Sequence, residues 1–160
     1  MNEVILLTGG NLGDRLTTLT AARTQITLRV GRITKASSIY ETAAWGNPDQ
    51  PPFLNQVLVA ETTLSPQEVL EQILSIEIEL GRKRIEKWGP RAIDIDILFY
   101  DSAVVETNNL RIPHPEIPNR RFVLAPLAEV VPGLIHPVLG MNVSELLART
   151  PDTLEVRRLA

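Results

Sequence analysis

Residues 88–99 read W-G-P-R-A-I-D-I-D-I-L-F, and the second half of this stretch predicts a β-strand. Apolar side chains alternate along that half, which indicates a strand with one buried face. The predicted buried face consists of Ile93, Ile95, Ile97 and Phe99. The other face carries Leu98 and two carboxylates, Asp94 and Asp96, whose Cα atoms lie about 6.5 to 7 Å apart in an extended strand.

Two carboxylates this close repel each other unless cations offset their charge, so the pair predicts a site for one or two hard metal ions. The residues just before the strand are basic. They include five of the sixteen Lys and Arg residues of the chain: Arg82, Lys83, Arg84, Lys87 and Arg91. Because Mg²⁺ combines protein carboxylates with phosphate and water oxygens, the basic segment favours a polyphosphate substrate. The structural alternative is a solvated strand face beside a basic surface loop.

The composition predicts one domain spanning residues 1–160, since a chain of this length buries roughly two thirds of its unfolded surface. The sequence contains no cysteine, which fits a reducing compartment. Its N-terminal residues have an acid, Glu3, where a secretion signal has bases, and only four consecutive apolar residues follow. No apolar run approaches the ~18 residues that span a bilayer. We therefore expect a cytoplasmic protein that does not bind membranes.

The charge balance argues against nucleic acid as a partner. The formal net charge is −3, and the isoelectric point is about 5.4. Duplex binding depends on neutralising many phosphates, whereas the basic residues here are concentrated in one short segment. We expect small-molecule substrates and a monomer.

The order of predicted elements indicates an α+β fold. A strand at residues 4–8 is followed by a helix that Asp14 caps and Gly31 ends, then by two β-rich segments at 32–42 and 53–62. The Ser65-Pro66-Gln67-Glu68 motif predicts the next helix, and the strand described above completes the series. This is a ferredoxin-like βαββαβ core: an antiparallel sheet with helices on one face. A C-terminal extension begins at Tyr100, with helices predicted near residues 121–130 and 144–148.

Several other residues have both a functional and a structural interpretation. Phe53 and Asn55 share a strand face, where an aromatic ring and an amide can stack on and hydrogen-bond a flat heterocycle. The alternative is that Phe53 belongs to the core and Asn55 ends the strand. His114 lies between two prolines, so a stiff loop either aims its imidazole at a phosphate or exposes it to solvent. His136 is predicted to be structural.

The whole chain resembles one family, 6-hydroxymethyl-7,8-dihydropterin pyrophosphokinase of folate biosynthesis. The motifs that carry the resemblance are G-G-N-L-G-D at 9–14, S-S-I-Y-E-T at 37–42, F-L-N at 53–55, E-x-x-L-G-R at 77–82, W-G-P-R-A-I-D-I-D-I at 88–97, I-P-H-P at 112–115 and R-F-V-L-x-P-L at 121–127. The resemblance implies transfer of the terminal pyrophosphate of ATP, the co-substrate, to the pterin hydroxymethyl group. It also implies two Mg²⁺ ions and release of AMP.

The resemblance also implies roles for individual residues. Asp94 and Asp96 hold the metal ions, with Asp96 as the candidate base, while Arg82 and Arg91 act catalytically on the phosphates. The implied pterin site consists of Thr42, Ala43, Trp45, Phe53, Asn55, Trp88 and Phe122. The implied ATP site consists of Leu70, Leu74, Glu77, Arg82, Arg84, Arg91, Ile97, Arg111, His114 and Arg120.

The chain departs from the family pattern at a few positions. Gly10 replaces the usual Ser, Ala43 replaces a common Pro, and Leu74 stands where some members have a polar residue. Two other functions fit the residues: a non-catalytic ferredoxin-like module that binds Mg-nucleotide, and a metal-dependent nucleotidyl transferase that joins AMP to an acceptor. The products formed from ATP distinguish the three.

Overall fold

The structure is a computed structural model that describes residues 1–43, 49–81 and 92–159. Its helices are α1 (Arg15–Arg29), α2 (Pro66–Gly81), α3 (Arg121–Val130) and α4 (Val143–Arg149), with a short 3₁₀ helix at Ile117–Asn119. Its strands are β1 (Asn2–Gly10), β2 (Arg32–Ala36), β3 (Tyr40–Thr42), β4 (Phe53–Thr62), β5 (Asp94–Tyr100), β6 (Val105–Glu106), β7 (Arg111–Ile112) and β8 (Val156–Arg158). Within these ranges, no helix combines the length and apolar character needed to cross a membrane.

The described strands form a six-stranded sheet in the order β5-β1-β4-β3-β8, with β2 also paired to β4. Every pairing in this sheet is antiparallel. Strands β6 and β7 form a separate two-stranded ladder. The predicted α+β class with an antiparallel sheet is therefore confirmed.

The two faces of the sheet bury different sets of residues. On one face, Leu6, Ile95 and other strand residues pack in a cluster with Ile26 of α1 and Ile73 of α2. On the other face, a second apolar cluster joins strand residues such as Leu7 and Val57 to α3 and α4. The segment predicted only as a C-terminal extension thus contributes two helices that cover part of the second face.

A register irregularity in β5 overturns one detail of the sequence analysis. Leu6 pairs with Ile97 while the preceding Ile5 pairs with Phe99, so Leu98 is an extra residue opposite β1. Beyond such a bulge the alternation reverses. Phe99 packs with the α3 and α4 cluster, whereas Ile95 and Ile97 lie in the opposite cluster. The prediction that Phe99 shares their face is wrong, because side-chain alternation alone does not reveal a bulge.

The predicted helix starts are confirmed by their hydrogen bonds. The Asp14 side chain accepts from the Thr17 backbone N–H at 3.2 Å. At the start of α2, Ser65 Oγ accepts from the Glu68 N–H at 3.2 Å, and Glu68 Oε1 accepts from the Ser65 N–H at 2.9 Å. These reciprocal bonds form a capping box, which satisfies donors that a helix N-terminus otherwise leaves unpaired.

Candidate functional site

A cavity of about 760 Å³ opens on the face of the sheet that α3 and α4 only partly cover. Three strands contribute alternate residues to its floor. These are Leu7 and Gly9 of β1, Phe53 and Asn55 of β4, and Asp94 and Asp96 of β5. Alternate residues of a strand point to the same face, so one face of the sheet supplies all six. The walls consist of Thr42, Ala43, Glu116, Asn119, Arg120, Phe122, Pro151, Asp152, Thr153 and Leu154.

The strand register places the two predicted subsites side by side. Gly9 pairs with Asp94 on one side and with Asn55 on the other. The Asp94 and Asn55 backbones are therefore two strand spacings apart, about 10 Å. The Asp94 carboxylate and the Asn55 amide thus lie close enough to contact one pair of bound substrates.

Gly9 is the residue that allows this arrangement. A Cβ atom built on Gly9 would lie 2.1 Å from Nδ2 of Asn55, which is far inside van der Waals contact. Asn55 is 6% exposed, and its Nδ2 donates to the Thr8 carbonyl at 3.4 Å. A side chain at position 9 would displace the Asn55 amide, so the glycine keeps the floor open between the two subsites.

Three of the residues predicted for the pterin site, Thr42, Phe53 and Asn55, lie together on neighbouring strands at one end of the cavity. Thr42 and Phe53 are paired in register between β3 and β4, and Asn55 follows on the same side of β4. The Thr42 hydroxyl is buried and has no hydrogen-bond partner among the described residues. A buried hydroxyl without a partner is costly in an isolated protein, so it favours a polar ligand at this position.

The other end of the cavity holds the two carboxylates. Asp94 and Asp96 are both half-buried and both line the cavity. Between them, the Ile95 backbone N–H donates to Oε2 of Glu77 at 2.8 Å, which ties this part of β5 to α2. The described residues include no group of three or more His, Cys, Asp or Glu side chains placed to hold a metal alone. Mg²⁺ is usually bound by one or two protein carboxylates, and substrate phosphate and water complete its coordination. The pair Asp94 and Asp96 therefore fits Mg²⁺.

Arg120 and Phe122 approach the cavity from the start of α3. The Arg120 guanidinium carbon lies 5.8 Å from the centroid of the Phe122 ring, and its Nε is 4.0 Å from Oε1 of Glu116. The arginine therefore contributes a cation to the cavity wall while its side chain covers one face of the aromatic ring.

His114 lies beside this wall but is not among the residues that line the cavity. Its Nδ1 accepts from the Glu116 N–H at 3.1 Å, so the neutral imidazole carries its hydrogen on Nε2. Burial lowers the pKa of His114, and the Arg120 cation acts in the same direction, while Asp96 and Glu116 oppose both. The neutral side chain is a hydrogen-bond donor at Nε2.

The remaining predicted ATP residues lie elsewhere. Leu70, Leu74 and Glu77 belong to α2, Arg111 belongs to β7, and the Ile97 side chain is buried in the cluster with α1 and α2. None of these lines the described cavity. Five other predicted site residues lie outside the described residues: Trp45, Arg82, Arg84, Trp88 and Arg91.

Several cavity residues are not among the site residues predicted from the sequence. Leu7 and Gly9 follow from strand alternation once β1 is known to lie between β4 and β5. Glu116 and Asn119 lie just before the predicted Arg120 in the sequence. Residues 151–154 had no signal in the sequence, because their position depends on the pairing of β8 with β3.

Comparisons with known proteins identify one family. A family model described as 7,8-dihydro-6-hydroxymethylpterin-pyrophosphokinase (HPPK) matches residues 5–132. A protein of Aquifex aeolicus named 2-amino-4-hydroxy-6-hydroxymethyldihydropteridine pyrophosphokinase is 46% identical over 145 residues, covering 91% of this chain and 90% of that protein. A Methylorubrum extorquens protein of the same name is 42% identical over 150 residues, covering 93% and 94%.

Solved structures share the fold. The wild-type HPPK-DHPS of Plasmodium falciparum superposes with a TM-score of 0.79 at 17% identity, covering 92% of this chain. This chain spans 44% of the length of that protein. At such low identity the similarity concerns the fold alone.

Proposed function

This chain belongs to the 7,8-dihydro-6-hydroxymethylpterin-pyrophosphokinase family, and from that premise we propose how its cavity carries out the reaction. The enzyme transfers pyrophosphate from ATP to the hydroxymethyl group of 6-hydroxymethyl-7,8-dihydropterin in folate biosynthesis. The alcohol oxygen forms a bond to the β-phosphorus of ATP. The bond from that phosphorus to the α,β-bridging oxygen breaks, AMP leaves, and the hydroxyl proton passes to a base or to solvent.

One observation carries the proposal: the row Asp94, Gly9 and Asn55 runs across three neighbouring strands on the floor of one cavity. A pyrophosphokinase has to hold a heterocyclic alcohol and a polyphosphate in contact. Positioning of this kind, together with electrostatic stabilisation, supplies most of the catalysis in phosphoryl transfer. A cavity with an amide and aromatic rings at one end and two carboxylates at the other suits such a pair.

The acceptor end is proposed to bind the pterin. Asn55 offers both a donor and an acceptor to the ring edge, and the Thr42 hydroxyl, which has no partner within the described part of the chain, offers another contact. Phe53 and Phe122 provide aromatic surface for stacking. The other residues proposed for this subsite are Ala43, Trp45 and Trp88.

The phosphate end is proposed to hold two Mg²⁺ ions on Asp94 and Asp96. When bound, such ions neutralise phosphate charge and orient the oxygens of an in-line displacement. Asp96 is also the candidate to accept the hydroxyl proton of the pterin alcohol. Cationic and donor side chains are proposed to bind the triphosphate: Arg82, Arg84, Arg91, His114 and Arg120. Of these, Arg82 and Arg91 are proposed to stabilise the charge that develops during transfer.

The nucleotide moiety is proposed to bind at the outer edge of β5, which is the last strand of the described sheet. The Ile95 N–H points to that edge, since it donates to Glu77 on α2. Strand alternation directs the backbone of Ile97 the same way, although its side chain is in the core. The remaining residues proposed here are Leu70, Leu74 and Arg111.

We also propose that residues 1–160 act as one monomeric domain in the cytoplasm, with a ferredoxin-like core formed by β1, α1, β2, β4, α2 and β5. The order β5-β1-β4, with β2 beside β4, supports that core. Coverage of 90% or more of two similar pyrophosphokinases supports a single catalytic domain. The use of ATP in a biosynthetic reaction supports a cytoplasmic location.

Product analysis tests the function directly. The purified protein is incubated with ATP labelled at the β-phosphate, 6-hydroxymethyl-7,8-dihydropterin and Mg²⁺, and the products are separated chromatographically. We expect unlabelled AMP and labelled pterin diphosphate. Label in ADP would indicate transfer of a single phosphoryl group, and labelled free pyrophosphate would indicate a nucleotidyl transferase. Binding of both substrates without any product would indicate a sensor module, and each of these three results would refute the proposal.

A further inference from the structure

The C-terminal residues 151–154 form a wall of the cavity although they lie beyond the part of the chain that the family model matches. That model ends at residue 132, whereas Pro151, Asp152, Thr153 and Leu154 all line the cavity. They connect α4 to β8. This wall therefore lies outside the residues that the family model matches.

Strand β8 fixes the position of this wall. Val156 pairs with Thr42 of β3, which is itself a cavity residue. Two ion pairs hold the same strand: Arg157 with Glu41 at 2.9 Å and Arg158 with Glu129 at 3.0 Å. The C-terminal segment is thus attached to the strand that supplies one side of the acceptor end.

The side-chain carboxylate of Asp152 links this segment to α3 by accepting a hydrogen bond from a backbone N–H group. Its Oδ2 accepts from the N–H of Arg121, the first residue of α3, at 2.8 Å. Its Oδ1 accepts from the Leu154 N–H at 3.0 Å. Arg120, at the N-cap position of α3, makes no capping bond with its own side chain. The cap of α3 is therefore supplied from a residue 31 positions later in the chain.

This remote cap acts at the point where α3 enters the cavity. Arg121 lies between Arg120 and Phe122, and both of these line the cavity and contact each other. A hydrogen bond to the first N–H of a helix fixes the first turn, where Phe122 lies. Loss of the bond leaves this turn free to fray and lets the Phe122 ring move. Arg120 precedes the helix and has a second contact with Glu116, so it depends less on the cap.

We propose that Asp152 is a positioning residue for the acceptor: by capping α3 it holds Phe122 in place, and residues 151–154 close the wall behind the heterocycle. This inference rests on the proposed function, because it assigns the Phe122 end of the cavity to the pterin. It makes the C-terminal segment a determinant of acceptor affinity. Residues 151–154 are not among those proposed to bind the nucleotide.

The test compares KM values, which do not depend on the fraction of folded enzyme. For Asp152→Ala we expect the KM of the pterin alcohol to rise about five- to tenfold, as loss of a helix cap predicts, with the KM of ATP changed less than about twofold. Asp152→Asn retains a good capping side chain, so its pterin KM should stay close to that of the wild type. A fluorescence titration of pterin binding without turnover provides a second readout of the same affinity.

Two control variants separate positioning from general destabilisation. Glu155→Ala removes an exposed carboxylate from the same segment and should leave both KM values unchanged. Asn142→Ala removes the cap of α4, a similar bond of 2.9 Å, and should lower the melting temperature without raising the pterin KM. An unchanged pterin KM in Asp152→Ala, equal increases in Asp152→Ala and Asn142→Ala, or failure of Asp152→Asn to restore affinity would overturn the inference. A wild-type enzyme that forms no AMP would instead refute the proposed function.

Discussion

The two faces of the central sheet are built from the same strands, but one face packs against α1 and α2 and the other carries the cavity. Ile95 and Ile97 of β5, and Ile93 just before it, lie in the apolar cluster with α1 and α2. Their neighbours Asp94 and Asp96 face the cavity on the other side. Helices α3 and α4 cover only part of that second face, and the uncovered part holds the candidate site.

This difference separates stability from chemistry within a single strand. A buried apolar face contributes to folding through the area that it removes from water. A cavity lined by carboxylates, an amide and a buried hydroxyl contributes little to folding. Its polar groups are the ones proposed to bind the substrates. Substitutions on the first face should therefore change the free energy of unfolding, and substitutions in the cavity should change the kinetics.

The largest effect is expected for Asp96→Ala, on the cavity face of β5. Loss of a carboxylate that is proposed to bind metal should lower kcat by ~10³-fold or more, because metal ions stabilise several kcal/mol of transition-state charge in reactions of this kind. The free energy of unfolding should change little. Steady-state kinetics and urea denaturation measure the two quantities. Near-normal turnover would contradict the assignment of Asp96 to the metal site.

Ile26→Ala is the matching change on the opposite face, where Ile26 of α1 is fully buried. Removing three carbons from a packed core should lower the free energy of unfolding by ~2–5 kcal/mol. The kcat of the folded fraction should stay within about twofold, since the cluster with α1 and α2 is separated from the cavity by the sheet. A loss of kcat at full folding would show that the two faces are not independent.

The sequence predicted the helices α1 to α4 and the strands β1, β4 and β5 well because their signals are local, whereas β6, β7 and β8 were not predicted. The Ser65 and Glu68 motif specifies the start of α2 from four residues, and alternation identifies the Asp94 and Asp96 face. The bulge at Leu98 was not predictable in this way. It depends on how β5 pairs with β1, which is a contact between distant parts of the chain.

The site was predictable where its residues belong to local motifs and not where it depends on contacts between distant parts of the chain. Phe53, Asn55, Asp94 and Phe122 were identified from motifs, and the structure brings them to one cavity. The role of Gly9 was missed because a glycine motif does not tell which side chain will occupy the vacant space. Asp152 was missed because its partner, the Arg121 N–H, is a backbone group 31 residues away.

A smaller effect is expected for Asn55→Leu, which replaces the amide in the cavity with an apolar side chain of similar size. Loss of hydrogen bonds to a buried ligand costs ~1–3 kcal/mol, which corresponds to a rise of about 5- to 150-fold in the pterin KM. The neighbouring amide is a matched control, since Gln56 lies on the α1 side and donates to the Ser37 carbonyl at 2.9 Å. Gln56→Leu should lower stability and leave the pterin KM unchanged. Equal KM changes in both variants would contradict the distinction between the faces.

The smallest effect is expected for His136. This residue is buried against Phe99, in the part of the second face that α3 and α4 cover. Its Nδ1 accepts from the N–H groups of Val138 and Leu139 at 3.2 and 3.1 Å, and its ring meets Phe99 edge-on. Burial lowers the pKa of His136 in the folded state. As the pH falls below the ordinary histidine pKa of about 6.5, the unfolded chain binds a proton more readily than the folded chain.

Acidification from pH 7.5 to 5.5 should therefore lower the free energy of unfolding of the wild type by more than that of His136→Gln. The variant keeps His114 and every carboxylate, so the difference between the two proteins isolates the contribution of His136. Urea denaturation at the two pH values measures it, and equal losses would show that His136 titrates alike in the folded and unfolded chains. The kcat of the folded enzyme should respond to this substitution only weakly, because His136 supports the covered half of the face and does not line the cavity.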